Sequence, residues 1–342
     1  MGTIASSVRK TFKGIDITKF LLAILVVAGH THPFKDIKDP IFVQTWNAIL
    51  FLVVPYFFMA AGFFLFSKVY QSSDKTTQLY TVWSYLKRIV KLYVYWTIIF
   101  LPITLWNFAN DEFIYKQDLI LFIRGFFFFG ENYYSWPLWY LLSMIYSIAF
   151  IYFLIRCNLG IKTIFFISIL MLTLAMILNY LVLGESENKY LLIVGKTVKY
   201  LFLTGRLFTG MFYLMVGGII AVKRVHMSKE VLTVLVLLGL IFQFFKIEII
   251  SPLFFSLLPI TLFYITTNLK LDNVTNNAFL RKCSTVLYFT HMIVFFLYTL
   301  IFKEFVYFGW DAFLVSSIIP IILTPLIIRN EDRFPILKEL LG

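Results

Sequence analysis

Charged residues are scarce in this sequence. Of its 342 residues, 14% are Asp, Glu, Lys or Arg and 60% are hydrophobic, whereas about a quarter of the residues in soluble proteins are charged. A soluble fold of this length needs more charged surface to cover its core. The composition therefore excludes an ordinary soluble globular protein and predicts a chain that is surrounded by lipid.

Cysteine and the common motifs of soluble enzymes are also lacking. The two cysteines, Cys157 and Cys283, are too few for a disulfide framework, and we expect both to be free thiols. The sequence contains no phosphate-binding glycine loop, zinc-binding spacing, serine nucleophile elbow or paired-carboxylate spacing. We therefore expect no bound metal, and the sequence does not indicate an ATP-driven pump or a metalloprotease.

Long apolar segments dominate what is present. Ten segments reach the length of about 20 residues that crosses a bilayer. They lie at about 14–34, 41–66, 88–107, 136–156, 162–183, 203–222, 230–249, 252–268, 285–303 and 310–329. The segment 119–129 is too short to span and contains Arg124, so we expect it to be re-entrant or interfacial. The pattern predicts an all-α integral membrane protein with about ten transmembrane helices in one domain, residues 1–342.

The net charge of +12 is explained by the predicted topology. With the N-terminus inside, nineteen of the thirty Lys and Arg fall on the cytoplasmic side and nine outside, as the positive-inside rule requires. Both termini are then cytoplasmic in a multi-pass protein of the cell membrane, and no nucleic-acid partner is needed. Lys19 interrupts the first apolar segment and no cleavage site follows, so we expect a retained helix rather than a signal peptide.

The first helix carries three polar side chains at membrane depth, where charge is costly and commonly functional. His30 lies eleven positions after Lys19, so the two lie about 20° apart around the helix and roughly 16 Å apart along it. Asp16 precedes Lys19 by three residues and shares that face. An anionic ligand at Lys19 could thus extend towards an imidazole that titrates near neutral pH. Equally, Lys19 could reach the lipid interface and His30 could simply end the helix.

Three further residues are candidates for binding or support. Arg206 lies in an apolar segment and could hold an acceptor or a carboxylate, or reach the interface. For Trp139, a position in the aromatic belt at the membrane interface is favoured over a role in stacking on a sugar. For His291, a hydrogen-bonded core position is favoured over a second base.

Several segments resemble the membrane acyltransferase-3 family, in the family's order. GIDITKFLLAILVVAGH resembles its first-helix signature, in which Arg or Lys is followed after ten residues by His and is usually preceded by Asp. The other similar segments are FFMAAGFFLF, KRIVKLYVYW, PLWYLLSMIYS and LYFTHMIV. The similarity extends from residue 14 to about 294.

The resemblance implies an O-acyltransferase that takes acetyl from cytoplasmic acetyl-CoA and modifies a glycan or polysaccharide of the cell envelope. It implies that His30 is the catalytic base or acyl-relay residue. Lys19 occupies the family's Arg or Lys position, and Arg88 with Lys91 match the basic pair that engages the CoA phosphates. From the residues alone, Arg88 and Lys91 are three apart and could clamp a phosphate, but ordinary positive-inside charges are favoured.

Two departures from the family pattern bear on which form of the family this sequence resembles. Ala61 stands where Ser is common, and the fourth predicted helix lacks the Glu-rich segment of members that carry a soluble esterase-like domain. We therefore expect a stand-alone form in which the acceptor meets the membrane domain itself. The alternative is a transporter or flippase, or an export component, for a glycan or a small polar solute.

Overall fold

The computed structural model describes residues 12–110, 115–183, 188–202, 206–223, 225–244, 255–269, 271, 277–302 and 308–341. These residues form fourteen α-helices. In chain order they are α1 Lys13–Thr31, α2 Pro40–Phe51, α3 Val53–Val69, α4 Lys75–Asn110, α5 Tyr115–Arg124, α6 Trp139–Arg156, α7 Ile161–Leu183, α8 Lys189–Phe202, α9 Arg206–Lys223, α10 Lys229–Phe244, α11 Leu257–Asn268, α12 Asn277–Ile301, α13 Trp310–Asn330 and α14 Pro335–Leu341.

Eight helical segments are long and apolar enough to cross a membrane. They are α1, α2 with α3, α4, α6 with the 3₁₀ turn before it, α7, α9, α12 and α13. No strand occurs among the described residues. The prediction of an all-α, multi-pass membrane protein is confirmed.

The two other predicted spans, 230–249 and 252–268, correspond to α10 and α11. Their described parts contain 16 and 12 residues, and residues 245–254 between them lie outside the described chain. The figure of ten spans and the cytoplasmic position of both termini therefore stay predictions.

The outer surface of α13 shows what surrounds the helices. Its side chains at every fourth position are large, apolar and about half exposed, and they form one stripe: Leu314, Ile318, Ile322 and Leu326. Residues four apart lie on one face of a helix. An apolar stripe of this length is stable against lipid chains, which supports burial of α13 in the bilayer.

The centre of the fold is the packing of α3 against α9, which depends on two glycines. A Cβ atom added to Gly62 of α3 would lie 1.9 Å from the carbonyl oxygen of Leu214, and one added to Gly217 of α9 would lie 2.0 Å from that of Met59. Small residues allow the backbones of membrane helices to approach this closely. The same helix α3 carries Val54 and Phe57 towards the site described below.

The segment 119–129 is not among the eight candidate spans, and its re-entrant or interfacial position stays a prediction. It consists of the end of α5 and a π-helical turn, Gly125–Phe129. Gly130 ends the turn with a φ of 72° and lies against the start of α6, because an added Cβ would be 2.4 Å from the Cα of Trp139. This close approach brings the following residue, Glu131, to the entrance of the site.

Candidate active site

His30 lies in the last turn of α1, and that turn is fixed on both sides. The helix ends at His32, which adopts the left-handed conformation and donates its N–H to the carbonyl of Ala28. The backbone N–H of Gly309 donates to the carbonyl of Thr31 at 2.9 Å. This end of α1 is therefore held against the start of α13.

The imidazole of His30 lies close to two other rings. The ring centroid of His291, from α12, lies 5.4 Å away at 29° between the ring planes, and that of Trp136 lies 5.9 Å away at 36°. Trp136 stacks in turn on Tyr134. The stack restricts rotation of the His30 ring and gives it a largely aromatic surrounding.

His291 is completely buried and has a defined tautomer. Its Nδ1 lies 2.9 Å from the carbonyl oxygen of Leu287. A carbonyl oxygen can only accept, so Nδ1 carries the proton and Nε2 bears a lone pair. Within the described chain, Nε2 has no hydrogen-bond partner. Both possibilities left open by the sequence, a core residue and a second basic group, are compatible with this position.

His30 lines a recess among the helices. The recess, together with the open solvent at its mouth, has a volume of about 330 Å³ and is lined by eight residues: Val26, His30, Val54, Phe57, Pro137, Trp139, Tyr140 and Tyr288. The Tyr288 hydroxyl donates to the Pro137 carbonyl, which joins α12 to the turn before α6. A mostly apolar recess with one titratable imidazole is suited to binding a small group and moving a proton at it.

Arg206 and Trp139 lie together at one side of this recess. The guanidinium carbon of Arg206 is 4.9 Å from the ring centroid of Trp139, and its Nη2 is 2.7 Å from the Glu131 carboxylate. The Arg206 and Glu131 side chains are 24% and 17% exposed. Burial raises the pKa of the Glu131 carboxyl above its ordinary value of 4.5, although the Arg206 charge opposes this rise.

Lys19 lies beside Phe57, one of the residues that line the recess. Its Nζ is 5.9 Å from the ring centroid of Phe57, and Phe57 also lines the recess with His30. Lys19 and His30 therefore share a face of α1, as the spacing predicts.

Further charges surround Lys19. Asp16 pairs with Arg281 at 3.7 Å, and the charges of Asp16, Arg281 and Arg88 all act on Lys19. This cluster of three cations and one carboxylate is where an anionic ligand could bind.

Lys91 does not join this cluster. Its Nζ is 2.5 Å from the carboxylate of Glu339 in α14, while the Arg88 guanidinium lies over the ring of Tyr85 at 4.9 Å. The two side chains predicted to bind the CoA phosphates together thus have different neighbours. Among the described residues, no group of three or more His, Cys, Asp or Glu is arranged to hold a metal ion.

Comparison with protein families agrees with this geometry. A family model described as an acyltransferase domain matches residues 12–329, nearly the whole chain. The chain belongs to the acyltransferase-3 family.

Curated relatives match shorter segments of this acyltransferase. An amino-acid racemase of Enterococcus faecalis is 30% identical over 129 residues, which are 36% of this chain and 17% of the racemase. A second amino-acid racemase from the same organism is 29% identical over 152 residues, which are 43% of this chain and 19% of that racemase. A serine/alanine racemase of Enterococcus gallinarum is 28% identical over 95 residues, which are 28% of this chain and 14% of that racemase. The acyltransferase spans less than a fifth of the length of these relatives, so their names transfer no activity to it. No solved structure matches.

Sequence reasoning missed several residues at the site of this acyltransferase. The sequence does not single out Arg281, Tyr288 or Glu131. Arg281 pairs with Asp16 of α1 and Tyr288 lines the recess with His30, in each case across more than 250 positions of sequence. Arg206, a charged residue in an apolar segment, indicated that an acidic partner such as Glu131 lies nearby, because charges in membrane segments are usually paired.

Proposed function

We propose that this membrane acyltransferase transfers an acetyl group from cytoplasmic acetyl-CoA to a hydroxyl of a cell-envelope or exported polysaccharide. The observation that carries the proposal is the position of His30 in a recess whose lining also includes Phe57, which contacts Lys19, and Trp139, which contacts Arg206. An imidazole can accept a proton near neutral pH. The recess has room for a small acyl group beside it.

The donor would bind at the cations. Acetyl-CoA is a polyanion, and Lys19, Arg88 and Arg281 concentrate positive charge around one carboxylate, Asp16. Charge-assisted hydrogen bonds from Arg and Lys to phosphate are among the strongest available to a protein. From there the thioester end would pass Phe57 to reach His30. Lys91 would contribute only after leaving Glu339.

The acceptor would bind on the opposite side, at Trp139 and Arg206. An indole face is a common platform for apolar faces of ligands, and Arg206 already lies over it. The guanidinium can also donate to hydroxyl oxygens. Glu131 holds Arg206 in this position.

The transfer itself requires one proton acceptor. His30 removes the proton from the acceptor hydroxyl while its oxygen attacks the thioester carbonyl. The C–S bond breaks, the acetyl group stays on the oxygen, and the CoA thiolate takes the proton back from His30. The products are an acetyl ester and free CoA, and His30 is regenerated.

Substitution of His30 tests this function. In membranes supplied with radiolabelled acetyl-CoA, His30→Ala should abolish acetyl incorporation into envelope glycan and the matching release of CoA. His226→Ala, on an exposed loop, is the matched control and should keep both. Incorporation by His30→Ala at the rate of the unaltered protein would refute the mechanism. A transporter would instead move solute into vesicles without releasing CoA, and mass spectrometry of envelope glycans would show no added acetyl.

A further inference from the structure

His291 carries an unused hydrogen-bond acceptor beside the reacting imidazole. The residue is 0% exposed, its Nδ1 is occupied by the Leu287 carbonyl, and its Nε2 has no partner within the described chain. Buried polar atoms in native proteins nearly always have a partner, so such an exception calls for a reason. A ligand that brings its own donor would supply one.

The donors next to His291 in sequence are already engaged. The Tyr288 hydroxyl donates to the Pro137 carbonyl, and the Thr290 hydroxyl donates to the carbonyl of Val286. The His30 ring lies close to that of His291, with 5.4 Å between the ring centroids, but it forms no hydrogen bond to Nε2. The missing donor therefore has to come from outside these side chains.

We propose that Nε2 of His291 accepts a hydrogen bond from a second hydroxyl of the acceptor, beside the hydroxyl that reacts at His30. This inference rests on the proposed acyl transfer and specifies its acceptor class. Two imidazoles whose centroids are 5.4 Å apart suit a molecule with neighbouring hydroxyls, such as a sugar ring, better than one with a single hydroxyl. His291 is then a positioning residue that fixes which hydroxyl meets His30.

Two substitutions separate this role from simple packing. His291→Gln keeps an acceptor atom but has no aromatic ring to stack on His30. His291→Phe keeps an aromatic ring of similar size but has no lone pair. If His291 only fills space, the Phe variant should be the more active of the two. If its acceptor atom positions the substrate, the Gln variant should be the more active.

The experiment measures acetyl incorporation into envelope glycan in membranes, with acetyl-CoA varied, for both variants. We expect His291→Phe to lose roughly tenfold to a hundredfold in maximal rate, the size of one lost hydrogen bond to a buried group. The KM for acetyl-CoA should not change, and His291→Gln should stay within about threefold of the unaltered protein. His226→Phe, on an exposed loop, is the matched control and should be fully active.

Three results would overturn the inference. They are an unchanged rate in His291→Phe, a Phe variant more active than the Gln variant, and a loss confined to the KM for acetyl-CoA. If His291→Phe does not fold, as judged by its thermal midpoint, His291→Leu replaces it, because Leu also has no acceptor atom, and the same loss of rate is expected. No incorporation by the unaltered protein would instead refute the proposed function, and this inference with it.

Discussion

The close packing of α3 on α9 makes a strong prediction for Gly62. In Gly62→Ala the new Cβ would lie 1.9 Å from the carbonyl oxygen of Leu214, whereas ordinary contact begins at 3.4 Å. The two backbones must therefore separate by up to 1.5 Å, the difference between these distances. Neither atom is at the end of a flexible side chain, so rotation of a side chain cannot relieve the clash.

The expected cost follows from this geometry. Overpacking a well-packed core by one methyl group typically costs about 1–3 kcal/mol, and a clash with rigid backbone belongs at the upper end. For 342 residues, with an unfolding entropy of about 2.1 cal/mol/K per residue, about 3 kcal/mol lowers the thermal midpoint by roughly 4 °C. Phe57 lies on the same helix and lines the recess, so acetyl incorporation should fall as well.

The assay is thermal unfolding in detergent, followed by tryptophan fluorescence. Gly160→Ala is the matched control, because a Cβ added there has nothing within 4 Å, and its midpoint should equal that of the unaltered protein. If Gly62→Ala has the same thermal midpoint as the unaltered protein, the reasoning is refuted, and α3 and α9 are less closely packed than the structure shows.

Three further predictions concern the charges at the site. Lys19→Gln should raise the KM for acetyl-CoA roughly tenfold in steady-state kinetics. The control Lys162→Gln, at the exposed start of α7, should leave this KM unchanged. The same KM in both variants would count against a donor site at Lys19. Arg206→Lys keeps the charge but loses the planar stack on Trp139, so about three- to tenfold more glycan should be needed for half-maximal transfer, and an unchanged requirement would exclude Arg206 from the acceptor site. Burial raises the pKa of Glu131 above 4.5, so the folded protein holds this proton more tightly than the unfolded chain. Stability is then lost as the pH rises from 4.5 through the folded-state pKa. Over this pH range the thermal midpoint of the unaltered protein should fall relative to that of Glu131→Gln. A difference in midpoint that does not change with pH would contradict the burial of Glu131.

Much of the helical architecture was predictable, because lipid imposes a strong rule on each segment separately. A run of apolar residues long enough to span must form a helix, so α1, α6 and α12 can be read from hydropathy alone. The shared face of Lys19 and His30 was predictable for a similar reason, since it depends only on the period of one helix.

The contacts between helices were not predictable from the sequence. His30 and His291 are 261 positions apart, and nothing in the residues around either one specifies the other. Their stacking depends on how α1 packs against α12, which side-chain shapes along both helices decide. Arg281 beside Asp16 and Glu339 beside Lys91 have the same origin. The sequence indicated which polar residues are unusual, and the fold determines which of them meet.

The short helix α14 has a practical consequence for handling the protein. The carbonyl of Leu340 accepts a hydrogen bond from Trp96 of α4 at 2.9 Å, and Glu339 pairs with Lys91 of the same helix. An affinity tag fused directly after residue 342 would begin beside both contacts and could pull them apart during extraction. A tag placed before residue 12 avoids them, so we expect N-terminally tagged protein to give the more homogeneous preparation.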